Sequence, residues 1–150
     1  MGEREIKGGR PVTLLEVRSM LYRINQLYLR YRLARDTADA YRQQLSGSAV
    51  RYDSQGGGGC REHDSAFIQL AAYEEKAEKC RREWTDARSD LQAMCDRLPD
   101  EHQRAVIVYR YLNGYRFEAI AEALNWSTRK IYKLHKAGLK SLSDISENVQ

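Results

Sequence analysis

RYLNGYRFEAIAEALNWSTRKIYKLHKAGLKSL, Arg110 to Leu142, divides itself into two amphipathic helices and the turns beside them. Asn113-Gly114 marks the first turn, because a glycine just past a helix end takes the left-handed conformation that closes it. A helix is predicted over about Arg116 to Leu124, with Ile120, Ala121 and Leu124 inward. Asn125-Trp126 makes a tight turn, in which Trp126 serves as a plug, and Ser127 caps the next helix by accepting from a backbone N–H of its first turn. That helix, Ser127 to Leu142, turns Ile131, Leu134, Gly138, Leu139 and Leu142 inward. It carries Arg129, Lys130, Lys133, Lys136 and Lys140 and no acidic residue. Upstream, Leu98-Pro99-Asp100 is a boundary, since the residue before a proline is pushed out of helical geometry. One more helix is expected over about Asp100 to Leu112, with Ala105, Val108, Tyr109 and Leu112 facing in. Three short helices with a three-to-four-residue turn before the last match helix-turn-helix geometry. In that geometry the last helix lies in the DNA major groove and its first turns meet base edges.

Working towards the N-terminus, two much longer helices are expected. Thr13 and Glu16 have the spacing of a capping box. Apolar or aromatic residues follow at Leu14, Val17, Leu21, Ile24, Tyr28 and Tyr31, a heptad seam that weakens at Arg35, recovers at Ala38, breaks at Arg42 and ends at Leu45. Residues 46–63, with Ser46-Gly47-Ser48 and the four glycines Gly56 to Gly59, read as a flexible loop. A second seam, from a start near Asp64 or Ser65, is unbroken: Ala66, Leu70, Tyr73, Ala77, Cys80, Trp84, Ala87, Leu91, Met94 and Leu98. Neither seam can face water. The expected fold is therefore all-α: a flexible tail over 1–12, a long antiparallel coiled-coil hairpin over 13–97 with its loop at 46–63, and a three-helix helix-turn-helix head over 98–150. Pairing with a second copy of the chain fits the seams as well, so a homodimer through the coiled coil is an expected partner arrangement.

The 150 residues include 25 Lys+Arg and 21 Asp+Glu, a net +4 that permits nucleic-acid binding without arguing for it. The three cysteines, Cys60, Cys80 and Cys95, form no disulfide framework, and the last two lie on or beside a seam, where packing is their expected role. Cys60 and His63 stand three apart with no second close pair, so no metal site is expected. No stretch approaches the ~20 apolar residues of a membrane span. No glycine-rich phosphate loop, paired carboxylates or nucleophile elbow is found, so neither an enzyme nor a cofactor is expected. A cytoplasmic setting follows as the default.

The candidate DNA-binding residues are Ser127, Thr128, Arg129, Lys130, Tyr132, Lys133 and Lys136. Arginine can grip the O6/N7 edge of guanine with two hydrogen bonds. His135 is expected to pack or to touch a phosphate. The tracts Leu98 to Arg104, Tyr109 to Gly114, Phe117 to Leu124, Ser127 to Ile131 and Ala137-Gly138-Leu139 together resemble the region 4 helix-turn-helix of bacterial sigma factors, over about 45 residues. The whole layout resembles the small sigma-region-4-like proteins of prophages, which include the ArpU- and RinA-type regulators of late genes. The resemblance implies that Thr128, Arg129, Tyr132 and Lys133 occupy the positions that read promoter bases. Arg129 stands where a common sigma pattern has an acidic residue, and no region 2 is found, so it implies neither the sigma promoter preference nor a complete sigma factor. The expected function is a sequence-specific transcriptional regulator of phage or prophage type in a bacterial host cell. Its partners would be double-stranded DNA and RNA polymerase. The rival expectations are a small terminase-like DNA-packaging protein and a polymerase-docking adaptor that does not bind DNA.

Overall fold

The computed structural model describes residues 13–52 and 60–147, with side chains for 13–47 and 64–145. The tail expected over 1–12 and the glycine run Gly56 to Gly59 lie outside the described residues. Five α-helices and one π-helical turn account for nearly all of the rest, with no strand among the described residues. They are α1 (Leu14–Tyr52), α2 (Cys60–Asp96), α3 (Glu101–Ile107), the π turn (Val108–Leu112), α4 (Phe117–Leu124) and α5 (Thr128–Glu147).

The start of α1 is the expected capping box. The Thr13 N–H donates to Glu16 Oε2 at 2.7 Å, and the Glu16 N–H donates to Thr13 Oγ1 at 3.3 Å. Two expectations about α1 are corrected. Its seam is not centred on Tyr28, nor does it weaken at Arg35 and break at Arg42. After Val17, Leu21 and Ile24 it steps by three to Leu27 and continues unbroken through Tyr31, Ala34, Ala38, Tyr41 and Leu45, while Leu14 and Tyr28 are exposed. Two successive three-residue steps are a stammer, which rotates the apolar face relative to a strict heptad. The helix also does not stop at Leu45. Ser46 Oγ donates back to the Arg42 carbonyl at 3.1 Å, and a Cβ at Gly47 would meet nothing within 4 Å. A glycine inside an established helix costs about 1 kcal/mol, less than the cooperative gain of continuing it. At the other side α2 begins at Cys60, before the expected Asp64 or Ser65.

The described residues form two compact units: one takes those up to Ile24 together with those from Ala87 onward, and the other those of Asn25–Asp86. In the second unit Trp84 packs on Tyr28 and Tyr31, at ring-centroid distances of 5.1 and 5.5 Å, and Tyr41 meets Tyr73 edge-on at 5.3 Å. Arg42 pairs with both Asp39 and Glu74. Residues early in this stretch of α1 thus meet residues late in α2, and the reverse, the order that opposed helix directions produce. Leu27, Ala34, Ala38 and Cys80 are buried there.

The first unit buries Val17, Leu21, Leu91, Cys95, Leu98, Val106, Ile107, Leu112, Ile120, Ile131, Leu139 and Leu142. Cys80 and Cys95 are both free and buried. Burial pushes the Cys95 thiol up to about 11, which makes it a small apolar core residue rather than a nucleophile. Asp100 caps α3, its Oδ1 accepting from the N–H groups of His102 and Gln103. The single α-helix expected to Leu112 is corrected: it ends at Ile107 and passes into the π turn, closed by the Asn113 N–H on the Val108 carbonyl at 3.0 Å. The wider turn changes the phase. Val106, Ile107 and Leu112 are buried, whereas Ala105, Val108 and Tyr109 are only half-buried.

Candidate nucleic-acid interface

The surface in question is assembled by two left-handed residues. Gly114, at φ 73°, reverses the chain after the π turn, and Asn125, at φ 52°, closes α4. Asparagine is one of the few residues other than glycine that tolerate this region. After Asn125 the Trp126 N–H donates to the Ala121 carbonyl at 3.0 Å, and Ser127 Oγ accepts from the Lys130 N–H at 3.2 Å as α5 begins. Three residues therefore separate α4 from α5. Val106, Ile120, Ala121 and Ile131 form the core beneath, with Tyr109, Phe117, Leu124, Trp126 and Leu134 packed against it. This is the expected inner face of both helices, with Trp126 as the plug of the turn.

Opposite that core, α5 offers water an exposed face. Ser127, Thr128, Arg129, Lys130, Tyr132, Lys133 and Lys136 are all exposed, and so is Lys140. The first acidic residue after α5 begins is Asp144. Arg129, Lys133, Lys136 and Lys140 follow at steps of four, three and four, the spacing of a single helix face. The remaining candidates have local partners. The Ser127 hydroxyl is engaged as the cap. Lys130 holds its ammonium 4.0 Å from the Trp126 ring centroid. Tyr132, 49% exposed, packs on Phe117 at 4.7 Å. Arg129, Lys133 and Lys136 thus form the positive stripe, with Thr128 and Tyr132 at one edge and Lys130 at the other.

His135 is half-buried beside this stripe. Its Nε2 lies 2.7 Å from the Tyr111 hydroxyl, and its ring meets Phe117 edge-on at 5.0 Å. Burial, then the positive charges of Arg110 and Arg18, hold its pKa below the ordinary imidazole value. Burial likewise raises the Tyr111 phenol. Sequence reading did not find Arg110. Its guanidinium lies 4.7 Å from the Phe117 ring centroid and Nη1 donates to the Tyr115 carbonyl at 3.0 Å. The π turn and the Gly114 reversal create that proximity, and neither has a helical period that would reveal it.

Among the described residues no group of His, Cys, Asp and Glu could hold a metal ion, and the side chains of Cys60 and His63 lie outside them. No helix among the described residues is long and apolar enough to cross a membrane. Neither a curated protein nor a solved structure matches the chain. A family described as proteins of unknown function, DUF1492, matches residues 44–143. That span runs from within α1 to within α5 and includes the whole α4–turn–α5 surface, and the chain belongs to the DUF1492 family.

Proposed function

We propose that the chain is a sequence-specific, DNA-binding transcriptional regulator. In this reading α4, the Asn125–Ser127 turn and α5 act as a helix-turn-helix, and α5 is the reading helix. α1 and α2 form a coiled-coil hairpin that carries it. The observation behind the reading is the exposed, acid-free stripe Arg129, Lys133 and Lys136, facing away from buried Ile131. A helix of that kind supplies guanidinium and ammonium groups to base edges and phosphates at once. Phage or prophage type, action in a bacterial cytoplasm, contact with RNA polymerase and homodimerisation belong to the same reading, through the resemblance to sigma region 4-like proteins.

Labelled duplexes, one selected from genomic fragments and one scrambled, titrated at several salt concentrations test it. Arg129→Ala should cost about 1–3 kcal/mol on the selected duplex and relax preference at one or two base positions. Lys136→Ala should weaken both duplexes alike and make the salt slope shallower by about one unit. Absence of binding by the wild type even at low salt would reject the reading in favour of a polymerase-docking adaptor. Identical behaviour of the two variants would mean that Arg129 reads no base.

A further inference from the structure

We propose that Arg110, with His135 beside it across the Phe117 ring, forms a second contact site for a DNA backbone phosphate, on the Tyr132 flank of α5. The proposal rests on the DNA-binding reading and adds to it a site outside the basic stripe.

The first argument is order. Arg110 is held from two sides, by the Phe117 ring beneath its guanidinium and by the Tyr115 carbonyl on Nη1. An arginine held in this way has little side-chain freedom left to lose on contact. The second is placement. Phe117 is the common neighbour of Arg110, Tyr132 and His135, at 4.7, 4.7 and 5.0 Å. The guanidinium therefore lies beside the first turns of α5, where a helix docked in a major groove has backbone phosphates at its flank. The third is charge. The charged groups acting on His135 are Arg110, from the π turn, and Arg18, from α1; both are cationic, and Arg18 also acts on Tyr111. Among the described residues no carboxylate counts against them, and positive charge at a half-buried imidazole is what an incoming phosphate would neutralise.

A proton linkage follows. In the free protein, burial and the two arginines disfavour the imidazolium. A phosphate in the cluster supplies the opposite charge and favours it. Binding then takes up a proton at His135, and affinity rises as the pH falls between the titration points of the free and bound states.

The test uses the full chain as wild type, Arg110→Gln, Arg110→Lys, His135→Gln and Lys136→Ala. Anisotropy titrations of a duplex run at several salt concentrations from about pH 8 to about pH 5.5, bracketing histidine. The His135 ring is followed by NMR with the duplex or with inorganic phosphate, and thermal melts check folding. Arg110→Gln should flatten the salt slope by about one unit on selected and scrambled duplexes alike. Arg110→Lys, which keeps the charge, should retain most of that slope and so separates a lost contact from a misfolded variant. His135→Gln should remove the pH dependence, and Lys136→Ala should keep it. If duplex binding depends on Lys136, while neither the Arg110 variants nor the duplex alters the salt slope or the His135 titration, the second site is wrong and the DNA-binding reading stands. If inorganic phosphate shifts His135 as far as the duplex does at equal concentration, the cluster is a small-anion site and the proposal falls. Failure of the wild type to bind any duplex at any pH overturns both.

Discussion

His135 governs how the free protein responds to acid. Its folded-state pKa lies below the ordinary 6.5, through burial first and then Arg110 and Arg18. The unfolded chain therefore takes the proton first. The stability contributed by the neutral ring is complete above about pH 6.5 and is lost as the pH falls through the folded-state value. The melting temperature should drop between about pH 7.5 and 5.5, above the carboxylate range, and His135→Gln should flatten that drop. An equal drop in the variant would place the acid sensitivity elsewhere. At this scale the sequence was legible where helical period alone decides exposure. Arg129, Lys133 and Lys136 fall opposite Ile131 whatever the tertiary structure does. The period places Tyr132 on the outer side too, and it is exposed, but its partner Phe117, like the Trp126 ring beside Lys130, comes from outside α5. Arg110 was not legible, because its neighbours Tyr115 and Phe117 reach it only after the chain has reversed at Gly114.

Among elements, α3 and α5 approach closely at Gly138. A Cβ on Gly138 would lie 2.9 Å from Ile107 Cγ1 and 3.2 Å from its Cδ1. Close by, Ser141 Oγ donates to Gln103 Oε1 at 2.7 Å, so the two helices are tied as well as packed. Overpacking a core costs about 1–3 kcal/mol, and the helical preference of alanine over glycine returns up to about 1. Gly138→Ala should therefore lose about 1 kcal/mol net in urea denaturation. In an Ile107→Ala background, where both crowding atoms are gone, the same substitution should stabilise instead. Unchanged sign in that background would show that Ile107 is not what Gly138 accommodates. The seam of α2 was legible, since its nine positions within the helix and Leu98 just past the end are all buried or half-buried, with buried Cys95 beside them. The seam of α1 was not. A strict heptad continued from Ile24 lands on Tyr28, Arg35 and Arg42, whereas the observed three-residue step lands on Leu27, Ala34 and Tyr41. The apparent weakening at Arg35 and break at Arg42 were the trace of that slip. The π turn escaped for a related reason: a five-residue turn has no signature in a pattern searched for 3.6.

For the molecule as a whole, the division into two units has a measurable counterpart. Trp84 is half-buried between Tyr28 and Tyr31, entirely within Asn25–Asp86. Trp84→Ala should cost that unit about 3 kcal/mol, the lower end of the range for a buried aromatic. Amide exchange should then accelerate across Asn25–Asp86, with the amides of Ile120 and Ile131 keeping their protection. Uniform acceleration along the chain would mean that the molecule opens as one cooperative body. A boundary at Leu98-Pro99 was expected from the proline. The compact unit around α5 begins earlier, at Ala87, and takes in the first turns of α1. A seam read along one helix reports its period and not which neighbours each turn will meet. That discontinuity fixes an order of events at the ribosome. Val17 and Leu21 are made more than 100 residues before Ile131, Leu139 and Leu142, which belong to the same unit. Synthesis at about 5–20 residues per second leaves those early turns waiting for several seconds. Asn25–Asp86 is complete before any of those last three residues is made. The basic stripe of α5 therefore becomes a folded surface only after Leu142 has been made, so a nascent chain still short of that residue does not yet present it.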